Sequence, residues 1–195
     1  MMSELRRYLW LSQVILFSSL IICSLIIPSV VIKNGGVSNF GNHISTVGLY
    51  ALGFLSNIAF IYLAASSLLR QGRKFNYIVR SLVILSALEL IVFISTFPRH
   101  FSFTFSDIHD YLGIALFSYE FILSLWIVFK NKSVFAILLL LVEATGSIVG
   151  LLSAMKVIHF LFFGQVTAAL AFGLLLCLVF PKAIEETLNN QPGKT

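Results

Sequence analysis

Residues 97–113 read FPRHFSFTFSDIHDYLG, the densest group of chemically capable side chains in a 195-residue chain of which 11% is charged. Asp107, His109 and Asp110 set an imidazole between two carboxylates, with His100 nearby. Such a set offers acid–base work near neutral pH, or nitrogen and oxygen ligands for a metal. A zinc site needs three or four converging ligands at about 2.0–2.2 Å, so the cluster is a partial set that needs help from elsewhere in the chain. The competing reading is helix capping, with Ser106 or Asp107 accepting from the open N–H groups of a helix start and Asp110 on its positive end. His159 is the second candidate histidine, whereas His43 and His100 read as anchors at an interface. Haem would require histidine pairs on facing helices, and bulky Phe162 and Phe163 follow His159, so haem is the minor reading and the cofactor is unknown from the sequence.

Three further acids lie in apolar surroundings: Glu89, Glu120 and Glu143. A charged side chain at a bilayer centre costs about 2.5–3.5 kcal/mol on insertion scales, so these groups must face one another or other polar partners. His109 and Glu120 are eleven residues apart, three helical turns, and share a face with about 16 Å between them. Glu143 shares its face with Gly146, Ser147 and Gly150, which reads as a helix seam. Asn57 is a further interior polar candidate. The expected site is a polar pocket of His109, Asp110, Glu120, His159 and Glu89. Residues 97–113 would form its outer lid, with Phe101, Phe103 and Phe105 alternating with Ser102, Thr104 and Ser106 in an extended segment. A repeated spacing adds to this: His43 and Gly48, His109 and Gly113, His159 and Gly164 each pair a histidine with a glycine four or five residues on.

The elements that must hold these residues are membrane helices. The chain is 58% hydrophobic with mean hydropathy +0.98, too apolar for a soluble domain. Apolar runs of about 20 residues recur without the alternation of a β-barrel. Six spans are predicted, at about 8–30, 45–69, 76–97, 107–129, 134–153 and 157–180, as a single domain with a polar cytoplasmic tail at 182–195. Pro28, Pro98 and Pro181 fall at or just past helix ends. The first apolar stretch, Leu9 to Ile27, exceeds a signal-peptide core and lacks a small-residue cleavage site, so it reads as a retained helix. Cys23 and Cys177 fall at different depths and do not suggest a disulfide.

Lysine and arginine set the orientation. With the N-terminus inside, the cytoplasmic side takes Arg6, Arg7, Arg70, Arg73, Lys74, Arg80, Lys130, Lys132, Lys182 and Lys194. The outer side takes Lys33, Arg99 and Lys156. The expectation is therefore a cell-membrane protein with both termini cytoplasmic and residues 97–113 outside. The net charge of +5 is then a topology signal and not a nucleic-acid footprint. The run RQGRKFNYIVR (70–80) suits anionic lipid at the inner leaflet.

An apolar first helix ending in Pro, a following loop NGGVSNFGNHIS and the Ile108-His109-Asp110 element at the fourth helix together have a family likeness. In these features the chain resembles the prokaryotic membrane family catalogued as domain of unknown function 998, and is similar to the eukaryotic Frag1/DRAM/Sfk1 group. The resemblance implies the six-helix architecture and no catalytic assignment. There is no P-loop, G-x-G-x-x-G, H-E-x-x-H, C-x-x-C or G-x-S-x-G motif. Two functional expectations follow. The first is a non-enzymatic membrane protein that binds a lipid or small amphiphile in an outward pocket or scaffolds a membrane partner protein. The alternative is an intramembrane hydrolase, with or without a metal, that acts on lipid head groups at the outer leaflet through His109, Asp110 and His159.

Overall fold

A bilayer offers no water to bare backbone groups, so a spanning segment must satisfy its own N–H and C=O groups, as a helix does. The computed structural model describes residues 2–33, 35–70, 75–98 and 103–189. Its helices are α1 Met2–Ile26, α2 Pro28–Ile32, α3 Val47–Leu69, α4 Asn76–Ser95, α5 Phe103–Asn131, α6 Val134–Ala154, α7 Leu161–Leu174 and α8 Phe180–Asn189. A 3-10 segment, Val37–Asn42, lies between α2 and α3, and a π segment, Leu175–Val179, joins α7 to α8. Among the described residues six stretches are long and apolar enough to cross a membrane: α1, α3, α4, α5, α6 and the continuous run Leu161–Glu186. The protein is thus a multi-pass, six-span, all-α bundle. The even number of crossings places both ends of the described chain on one face, called here the terminal face; the opposite one is the far face.

Neighbours in sequence are neighbours in space. α1 packs on α3, α3 on α4, α4 on α5, α5 on α6 and α6 on α7, and the ring closes where the π segment and α8 meet α1. The tightest joint is α6 with α7. A Cβ at Gly146 would stand 2.5 Å from the backbone N of Ala168, and one at Gly164 would collide with the backbone of Gly150. Small residues let the two backbones touch, the close-packing device expected from Gly146-x-x-x-Gly150. At the α5–α6 turn Lys132 takes φ 50°, and Ser133 caps α6 by accepting from Ala136 N at 3.2 Å.

Several boundaries differ from those read in the sequence. α5 includes Phe103 instead of starting near Asp107, so Phe103 and Phe105 are exposed residues of its first turns and not part of an extended strip. No Gly or Pro interrupts residues 103–112, and local alternation of aromatic and hydroxyl side chains does not by itself stop a helix. Ser106 and Asp107 accordingly lie within the helix and do not cap it. His100, Phe101 and Ser102 are outside the described residues, as are 71–74 of the basic run. The first span begins at Met2 and stops at Ile26, with Pro28 at the first turn of the separate α2.

The end of the bundle is the larger correction. Residues 157–160 are not helical, and the helix does not end at Pro181. Residues 182–189 of the expected polar tail fall within α8, with Ala183 and Ile184 buried; residues 190–195 lie outside the description. The reason lies in the turn before the proline. A proline inside a helix clashes with the carbonyl four residues back, here Cys177, which sits in the π segment, where the wider turn makes room for the ring.

Candidate functional site

The far half of the bundle contains a half-open cavity of about 520 Å³ between α5, α6, α7 and the 3-10 segment. Its wall on α5 is built at helical spacing from Ser106, His109, Asp110, Gly113, Phe117 and Phe121. α6 contributes Ser147, Gly150 and Leu151, and α7 contributes Leu161, Gly164 and Gln165. The glycines that bring α6 and α7 together thus also form one side of the cavity. α5 stands off from that pair and leaves the gap. Asn39 and Lys156 line the far end. Lys156 is fixed there by a left-handed turn (φ 60°) that closes α6, with Val157 N bonded to Leu152 O at 2.9 Å. Gln165 Oε1 accepts from Val37 N at 2.8 Å and so holds the 3-10 segment against α7. The polar groups gather at the far end, and Ile114, Phe117, Phe121 and Leu151 give the rest an apolar lining.

His109 is buried at the cavity edge. Its Nδ1 lies 2.8 Å from Ser95 Oγ on α4, and that hydroxyl also sits 2.7 Å from the carbonyl oxygen of Val92. The serine hydroxyl thus links the Val92 carbonyl on α4 to the His109 ring on α5. Asp110 is exposed and lines the same cavity. His159, in the link between α6 and α7, and His43, before α3, are both exposed, and neither lines it. Of the three histidine–glycine pairs, two glycines (Gly113 and Gly164) and one histidine (His109) therefore reach the cavity. Gly48 faces open space.

Glu89 and Glu120 are buried deeper, outside the cavity lining. Glu89 is fully partnered: Asn57 Nδ2 donates to both its carboxyl oxygens at 2.9 Å. Asn57 Oδ1 in turn accepts from Gln13 Nε2 at 3.1 Å, and Gln13 packs against Gly173. This chain of amides ties α1, α3, α4 and α7 together at mid-depth, as buried polar groups in lipid require. Glu120 Oε2 and Glu143 Oε2 are buried with no hydrogen-bond partner, as are the hydroxyls of Ser124 and Ser147.

Sequence reading missed Gln13, Ser124, Ser147, Lys156 and Gln165. One signal was present: Glu120-x-x-x-Ser124 and Glu143-x-x-x-Ser147 repeat the same acid-to-hydroxyl spacing on consecutive helices. Among the described residues no three His, Cys, Asp or Glu side chains stand together as a metal site. The hydrolase expectation brought His109, Asp110 and His159 to one place; the cavity takes the first two. Comparisons of the chain with protein-family models, with curated proteins and with solved structures find no match.

Proposed function

We propose that this multi-pass protein binds a lipid or small amphiphile in the cavity between α5, α6 and α7, with the far face outside the cell and both termini cytoplasmic. The observation that carries the reading is the cavity itself. Its volume of about 520 Å³ falls within the range of small-molecule sites, about 300–1,000 Å³. Its lining divides into an apolar length and a polar far end with His109, Asp110, Lys156 and Gln165. That division matches an amphiphile whose head group rests near the interface and whose apolar part lies along Phe117 and Phe121. The ten-to-three bias of basic residues supports the orientation, and Arg70 and Arg80 would then meet anionic lipid at the inner leaflet. The Ile108-His109-Asp110 element, on which the resemblance to the domain of unknown function 998 family partly rests, would sit at the head-group end.

Gly113 provides the test. It lines the cavity, and a Cβ added there meets nothing within 4 Å, so Gly113→Phe fills the space without disturbing the fold. Native mass spectrometry of the purified protein is expected to detect a bound amphiphile in the wild type and to lose it in Gly113→Phe at unchanged Tm. Equal retention of the amphiphile by a folded Gly113→Phe variant sinks the reading.

A further inference from the structure

Most of the buried hydroxyls in this bundle have a simple fate. Ser12, Ser24, Ser67, Ser86, Ser95 and Ser153 each donate to a backbone carbonyl three or four residues earlier, at 2.7–3.0 Å. That is the default for serine in a membrane helix. Ser124 and Ser147 depart from it: both hydroxyl oxygens are buried and neither has a partner. Ser124 is 0% exposed, and its hydroxyl oxygen has no partner. Glu120 and Glu143, 6% and 1% exposed, also each keep an unpartnered oxygen. Four oxygens on two adjacent helices are thus left open, although the neighbouring layer of Gln13, Asn57 and Glu89 is bonded through.

Their order follows from the antiparallel packing of α5 and α6. Counted up from the turn at 132–133, the sequence of depths is Ser124, Glu143, Glu120, Ser147, at steps of about 3 Å along the helices. Hydroxyl, carboxyl, carboxyl and hydroxyl make a ladder about 9 Å tall. Its top rung, Ser147, lines the cavity, so the ladder has a route of access. No Lys or Arg occurs in residues 103–129 of α5 or anywhere in α6, so neither helix supplies a cation of its own. Two bare carboxylates in an apolar layer are costly, and a guest that brings positive charge offsets that cost.

We propose that Glu120, Ser124, Glu143 and Ser147 form a binding site for one monovalent cation, either an alkali-metal ion or the ammonium group of an amphiphile, reached through the cavity. An all-oxygen donor set suits a hard cation. Two carboxyls without a third ligating acid are too few for a divalent ion, which takes six or more oxygens, and one monovalent cation with one proton neutralises the pair. The proposal rests on the cavity only as the route of access.

The test is thermal unfolding of delipidated full-length protein in neutral detergent, followed by tryptophan fluorescence at constant ionic strength in N-methylglucamine chloride. Sodium, potassium or dodecylammonium chloride is titrated in, with dodecanol as the uncharged control. A ligand that binds only the folded state raises Tm saturably. A rise of several degrees with sodium or potassium, lost in Glu120→Gln and Glu143→Gln, identifies a free ion. The same pattern with dodecylammonium alone, and not with dodecanol, identifies the head group of a ligand. Ser124→Ala, which removes one hydroxyl and keeps the fold, is expected to raise the apparent Kd several-fold in either case. No saturable shift with any cation, or a shift unchanged in both glutamine variants and in Ser124→Ala, overturns the proposal. These titrations contain no copurified lipid, so their failure is distinct from a failure of lipid retention.

Discussion

The two halves of the bundle are built on opposite plans. Toward the terminal face, Leu5, Leu9, Ile61, Leu68, Leu82, Ile127, Leu175, Phe180 and Ile184 are all 0% exposed and belong to one continuous apolar cluster. Toward the far face a smaller cluster around Phe40, Tyr50, Phe93 and Phe162 fills only one side, between α1, α3, α4 and the 3-10 segment. The other side, between α5, α6 and α7, holds the cavity. Because lipid tails are as apolar as leucine, the terminal half gains little from hydrophobic burial and is held by dispersion contacts of close-packed side chains. A bundle that can pack one half to this degree and leaves a lined gap in the other has kept that gap where polar side chains collect. The cavity thus belongs to the half in which the apolar cluster is smaller and one-sided.

Substitutions that attack the two plans should differ in size. The largest effect is expected at Gly164, where any side chain strikes the backbone of Gly150. Gly164→Leu should force α6 from α7 and leave little folded protein by size-exclusion chromatography. Gly113→Leu, on the cavity's other wall, should stay within about 0.5 kcal/mol of the wild type. Near-normal recovery of Gly164→Leu would mean that the seam can open and that the cavity wall is soft. Next comes Leu82, fully buried in the terminal half. Leu82→Ala should destabilise by about 2–5 kcal/mol through the hole it leaves, measured as unfolding in mixed micelles of rising SDS fraction. Leu151→Ala, on the cavity wall and already 46% exposed, should cost less than about 1 kcal/mol. Similar costs for the two would erase the contrast between a packed half and a hollow one. The smallest effect belongs to Arg6, whose guanidinium meets Glu185 at 2.9 Å with both side chains well exposed. In the same assay Arg6→Gln should change stability by no more than about 1 kcal/mol, since solvent screens such a pair.

The span count was legible because hydropathy is summed over about 20 residues and small errors average out. Boundaries depend on single residues, and there the sequence misled. Phe103 to Ser106 alternates like a strand, yet lies on a helix because nothing after Pro98 stops one from forming. Pro181 looks like a helix stop, yet the π segment before it absorbs the clash, a tertiary solution that local chemistry does not announce. The site divided in the same way. His109 and Asp110 reach the cavity because spacing places them on the start of a helix that fronts it. Glu120 and Glu89 were read into one pocket with them on the strength of polarity in lipid. The structure brings Glu89 to Asn57 instead and leaves Glu120 with an unpartnered carboxyl oxygen. Which acid finds which partner depends on the rotation of each helix about its axis, and helices that are apolar on nearly every side carry little information about rotation.

The sequential ring has a consequence for how the protein is made. Each span from α3 onward packs on the span inserted just before it, so a chain leaving the ribosome can add helices to a growing arc one at a time. The final stretch returns to the beginning: Cys177 Sγ donates to Leu9 O at 3.3 Å, and Glu185 reaches Arg6. Until residues 175–185 are synthesised, the polar middle of α1, with Gln13, has one side open to lipid. Synthesis of residues 175–185 and closure of the bundle are therefore one event in biogenesis. The last turns of the last helix serve as the clasp of the whole assembly.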